Sequence, residues 1–100
     1  VKAQIEFHPL FWEDVQGHAV YLETQAQLGG EFLDAVELAI ETVRTGPLMW
    51  SCLFGNIRHY LLSKFRNHVI HYEFFEDENL VRFYGLYHGA QDPAKWSDRL

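Results

Sequence analysis

Between residues 12 and 43 the apolar positions keep a helical beat. Trp12, Val15, Ala19, Leu22 and Ala26 recur at three- and four-residue steps, the spacing that lines up one buried stripe. Pro9 stands just before them, suited to a first helical turn, and Glu13 and Asp14 complement the dipole there. Gly29-Gly30 is expected to reverse the chain. A cleaner stripe follows in Phe32, Ala35, Val36, Ala39, Ile40 and Val43, and Gly46-Pro47 ends it. Two such helices form a hairpin with one apolar seam. Glu31, Asp34, Glu37 and Glu41 fall on the far side of the second helix and give it an acidic outer face.

The flanking chain has the period of strands. Residues 3–8 alternate before Pro9 stops them. Residues 57–62 read as a strand, and Ser63 to Asn67 as a turn. The strand 68–75 carries Ile70, Tyr72 and Phe74 on one face; after the charged turn 76–79, the strand 80–88 carries Val81, Phe83 and Tyr87 on one face. The first strand needs an edge of the same sheet to pair its backbone. The order β-α-α-β-β-β therefore predicts an α+β fold, a helical hairpin packed on a mainly antiparallel four-stranded sheet. Asp92-Pro93 suits the start of a short C-terminal helical turn, with Trp96 returning as an apolar anchor. The apolar connection 48–56 is expected to pack down, burying Cys52 as an inert thiol.

One hundred residues suit a single domain spanning 1–100, and 48% hydrophobic composition excludes a disordered chain. No uncharged run approaches the roughly 20 residues of a membrane span. The opening Val1–Glu6 lacks the basic start and apolar stretch of a secretory leader, and one cysteine forbids an intrachain disulfide, so a cytoplasmic location is expected. The net charge of −6 resides in residues 1–55, where two cations face eight carboxylates; residues 56–100 balance six against six. An acidic chain does not suit binding nucleic acid through phosphate neutralisation.

Arg58, just after a glycine at a strand start, is placed on the open sheet face, either contacting a partner or pairing with a carboxylate. Arg66 sits at a hairpin tip. Arg82, Tyr84 and His88 are all even-numbered positions of one strand and so are expected to share a face. Arg58, Arg82 and His88 would then supply the cations and the proton-transfer group of a phosphodiester cleaver if they converged. His68 and His71, three apart on a strand, point opposite ways and make a poor chelate, so neither a metal nor another cofactor is expected. Trp96 and Arg99 read as closure of the fold, the guanidinium pairing with a carboxylate.

Four local motifs in register give these residues a family resemblance. They are Leu28-Gly29-Gly30-Glu31-Phe32 at the helix turn; Gly55-Asn56-Ile57-Arg58 before the central strand; Phe65 through Tyr72, with Arg66-Asn67 in place of the usual Pro-Tyr; and the terminal His88, Pro93, Trp96 and Arg99. The chain resembles the RelE/ParE superfamily of toxins from type II toxin–antitoxin (plasmid stabilisation) modules. The resemblance implies a cognate antitoxin partner in a hetero-oligomer. On the ParE side it implies inhibition of DNA gyrase by binding, without catalysis; on the RelE side, a ribosome-dependent messenger RNA endoribonuclease. The acidic charge, the His68-Val69-Ile70-His71-Tyr72 strand without a preceding Arg, and the chain beyond His88 favour the ParE side. Gln91 departs from the family's usual basic residue. A degenerate, non-toxic regulatory member is the remaining reading. Arg58, Arg66, Arg82, Trp96 and Arg99 are the candidate contacts to antitoxin or target.

Overall fold

A computed structural model describes residues 2–89 and 99–100. The proposed C-terminal helical turn and Trp96 lie outside the described residues. The elements are β1 (Gln4–Phe7), α1 (Phe11–Ala26), α2 (Gly29–Thr45), β2 (Cys52–Phe54), β3 (Ile57–Leu61), β4 (His68–Phe75) and β5 (Leu80–His88). The fold is α+β, with both helices on one face of the sheet. The sheet has five strands, not four, in the order β1-β5-β4-β3-β2. The added strand, β2, has three residues, all exposed, too few to display an alternation. It pairs antiparallel with β3 across Gly55, whose φ of 53° is the left-handed conformation glycine adopts freely. β1 lies at the opposite edge, parallel to β5, the parallel pairing made possible by the helical crossover.

The stripe of α2 is buried as its spacing predicts: Phe32, Val36 and Val43 are inaccessible and Ala35, Ala39 and Ile40 nearly so. That of α1 runs one residue off expectation at its start. Phe11, Val15 and Ala19 are buried, whereas Trp12 is 41% exposed and Ala26 is on the surface. Trp12 instead rests against Phe7 and Phe11, ring centroids 5.2 and 5.3 Å away. The chain reverses at Gln27, which takes the left-handed conformation at φ 58°, and not at the glycines, which already belong to α2. Gly29 serves a different purpose. A Cβ there would lie 3.0 Å from both the Ala19 carbonyl and the Glu23 side chain, so its smallness lets the helices meet.

The connection after α2 packs down only in part: Trp50 rests against the core, but the residues around it do not. Leu48, Met49, Leu53 and Phe54 are exposed, and so is Cys52, which lies with Leu53 and Phe54 in the edge strand β2.

β4 and β5 pair along their whole lengths, but the register slips by one. Tyr72 lies opposite Phe83 and His71 opposite Gly85, so Tyr84 is an extra residue, a β-bulge. Before it, Val81 and Phe83 face the helices. After it the parity inverts: Leu86, opposite Ile70, faces the helices, and Tyr87, opposite Val69, faces away. Phe83 and Leu86 are both wholly buried in the core.

Candidate functional site

The bulge decides where the predicted residues stand. Arg82, paired with Glu73, lies on the sheet face away from the helices, where its Nε donates to Glu6 Oε1 at 2.5 Å and its guanidinium covers the Phe75 ring at 4.8 Å. Tyr84 shares that face and donates to Glu73 Oε1 at 2.8 Å. His88 does not share it, contrary to the parity expectation. It pairs with His68 and lies on the helix side, ring centroids 5.0 Å apart, because one extra residue inverts every later position. Six residues of strand also put it roughly 20 Å from Arg82.

Arg58 is likewise not on the open face. It lies opposite Tyr72, whose side chain is in the core, and opposite Cys52 on β2. Its Nη1 donates to the Trp50 carbonyl at 2.6 Å, and Tyr72 Oη donates to the Pro47 carbonyl at 2.7 Å. These two bonds hold the connection between α2 and β2 against the sheet. Burial pushes the Tyr72 phenol well above its ordinary value, against the pull of the nearby Arg58 charge. Arg58 is therefore used by a backbone carbonyl, the neutral counterpart of the ion pair considered from sequence. Arg58, Arg82 and His88 occupy three separate places.

Arg66 is exposed in the turn before β4 and borders a shallow hollow with Trp50 and Tyr60. Arg99 pairs with Asp14 of α1 through both nitrogens, Nη2 to Oδ1 at 2.9 Å, as the fold-closure reading anticipates. Its position in the sequence gives Asp14 a helix-dipole role, and in the fold it does more. Its Oδ2 accepts the Leu86 N–H at 3.1 Å, while Arg99 Nη1 donates to the Tyr84 carbonyl at 3.2 Å. β1 covers β5 only as far as Phe83, so these two side chains serve backbone groups beyond the end of that ladder. No local pattern joins residues so far apart in the chain.

The helix side of β5 also holds a histidine row that sequence spacing does not reveal. His18 of α1, His68 and His88 stand ring to ring, each step 5.0 Å, beside a cavity of about 580 Å³ that Glu13, Asp14 and Tyr21 help to line. Burial, then the neighbouring His18 and His88, lowers the His68 pKa to about 4. His71 points to the other face, as its spacing requires, with its ring 4.8 Å from that of Tyr87. Burial, then His59, lowers its pKa to about 4 as well. Both rings are thus neutral near pH 7. Among the described residues, no three His, Cys, Asp or Glu side chains are placed to share a metal ion, and no helix is long and apolar enough to cross a membrane.

A two-helix layer on a five-stranded, mainly antiparallel sheet matches the RelE/ParE-like fold. The sequence profile of the ParE toxin of type II toxin–antitoxin systems (parDE) matches residues 5–93, and the chain belongs to that family, the toxin components of such systems. No curated protein matches the sequence. Among solved structures, the chain is similar to the toxin–antitoxin complex RelBE2 of Mycobacterium tuberculosis, with a TM-score of 0.64 and 13% identity, covering 88% of this chain and 99% of the other. At that identity the likeness is one of fold.

Proposed function

We propose that this toxin acts by gripping DNA gyrase and is neutralised by a cognate antitoxin, a small protein whose toxin-binding segment is disordered until it binds. One observation carries the choice of binding over cutting: the β5 bulge separates His88 from Arg82 by face and by length, while Arg58 is occupied with the Trp50 carbonyl. Transfer of a proton during phosphodiester cleavage needs base, acid and cation within hydrogen-bond reach of one reacting group. The net charge of −6 also favours a protein target over a phosphate backbone. Arg66 and Arg82, which reach solvent, are proposed as contacts to antitoxin or target, together with Trp96. Arg58 and Arg99 contribute by holding the surfaces that carry them.

The test has two arms. Purified protein added to gyrase should inhibit supercoiling, and added to translating ribosomes it should leave messenger RNA intact. Codon-specific cuts that disappear in Arg82→Ala or His88→Ala would overturn the proposal in favour of the endoribonuclease. Induced expression without antitoxin should arrest growth; normal growth would favour the non-toxic reading.

A further inference from the structure

The two edges of the sheet are built differently. β1, at one edge, carries Glu6, held by Arg82, and follows Lys2, which pairs with Glu41. Charges on and beside an edge strand keep another chain from pairing with it. β2, at the other edge, has no such guard. Residues 46–57 include no charged side chain, the longest such run in a chain whose net charge is −6. Leu48, Met49 and Leu53 lie in this run and are exposed, Met49 by 75%.

The backbone of β2 is also open on its outer side. The Ser51 carbonyl accepts the His59 N–H at 3.1 Å, and the next residue, Cys52, stands opposite Arg58. Alternation along an antiparallel pair then turns the N–H and C=O of Cys52 away from β3. Among the described residues β2 is the last strand at this edge, so no further strand meets those two groups. Between Cys52 and Phe54 the ladder is irregular, so the edge offers one well-placed residue and not a long template.

We infer that a second copy of this chain pairs with the β2 edge, the two Cys52 residues facing each other across a two-fold axis. An antiparallel pair of this kind is self-complementary. Each Cys52 donates its N–H to the other's carbonyl, so one surface serves both partners. The side chains of Met49 and Leu53, just before and just after Cys52, come to the axis from both copies and leave water together. Charge selects this edge over other contacts. Each copy brings −6, and the uncharged run 46–57 is where two copies approach with least repulsion. A two-fold pair occupies the edge of both partners and so closes as a dimer instead of growing into a filament. A contact seated on a three-residue strand is small, which places the dimer among concentration-dependent associations. The inference stands apart from the gyrase and antitoxin readings.

Sedimentation of the intact protein under reducing conditions, from about 1 to 200 μM, should pass from monomer to dimer, the range expected of a small interface. Higher salt should favour the dimer, because it screens the repulsion between acidic copies. A short bis-maleimide should join Cys52 to Cys52, and amide exchange at Cys52 should slow with concentration while exchange along β1 does not. Leu53→Lys puts a charge at the edge of both copies, and Cys52→Pro removes the outward N–H without touching the β3 ladder. Each should weaken the dimer by about tenfold or more and leave the melt of the dilute protein unchanged. Leu53→Lys should also abolish the cross-link. Cys52→Ser, which keeps the backbone pair, should dimerise as the unaltered protein does. Monomer throughout the range would overturn the inference and leave the edge to a strand from another protein. A dimer that both Leu53→Lys and Cys52→Pro retain at full strength would overturn it as well, since the contact then lies elsewhere.

Discussion

The two halves of β5 have the same neighbour on one side and different ones on the other. From Leu80 to Phe83 the strand lies between β4 and β1, its alternation is regular, and its outward cation, Arg82, is in an exposed pair with Glu6. From Gly85 to His88 it retains β4 but has passed the end of β1. A carboxylate from α1 and an arginine from residue 99 take over at its edge, and both of its histidine neighbours across the ladder, His68 and His71, are buried and neutral. Backbone hydrogen bonds within a ladder are indifferent to pH and to most substitutions. Side chains that stand in for a strand are lost with one substitution, and buried neutral histidines beside them respond to acid. The second half of β5 is thus the part of the sheet that can be unsettled selectively.

Acid should have the largest effect. An imidazole ordinarily titrates at 6.5, and both His68 and His71 are depressed to about 4 in the folded protein. The unfolded chain therefore takes up protons that the native chain does not, so stability is full above about pH 6.5 and falls as the pH drops toward 4. Together the two groups should cost about 3–4 kcal/mol between pH 7 and 5. Denaturant melts across that range should show it, and amide exchange should accelerate at Gly85–His88 before Leu80–Phe83. Equal acceleration in both halves would erase the distinction.

Next is Asp14→Ala, which leaves the Arg99 guanidinium and the Leu86 N–H without their acceptor. The pair is largely shielded, with side-chain exposures of 14% and 17%, so the expected loss is about 3 kcal/mol by chemical denaturation. Gly85→Ala places a Cβ against the Tyr87 ring and the Arg99 guanidinium and should cost about 2 kcal/mol for overpacking. Arg82→Ala, in the first half, removes an exposed pair and should cost no more than about 1 kcal/mol. A greater loss from Arg82→Ala than from Asp14→Ala would reverse the assignment of the two halves.

Much of the architecture was legible because burial is written into spacing. Six apolar positions of α2 and both termini of β4 and β5 follow directly from periodicity. The exceptions have physical causes. β2 is too short and too exposed to alternate. The Gly29-Gly30 pair suggests a turn, but Gly29 is there for helix contact. The bulge is the costly omission: Val81, Phe83 and Tyr87 continue an odd-numbered apolar series, although Tyr87 is on the opposite face from the other two. Gly85 within a strand, followed by an apolar even residue, Leu86, was the available sign of a register slip. For the candidate site, Arg99's carboxylate partner was foreseen in kind, whereas Asp14's identity and the histidine row depend on contacts between distant segments that no local spacing encodes.

Among the described residues, strand β1 pairs with β5, and Gln4 and Leu80 stand 76 positions apart. During synthesis the helical hairpin can form as it leaves the ribosome, but β1 must wait for its ladder partner until β5 has emerged. The sheet is therefore closed last at the edge where it was begun, and everything built on β1 depends on β5 being in place.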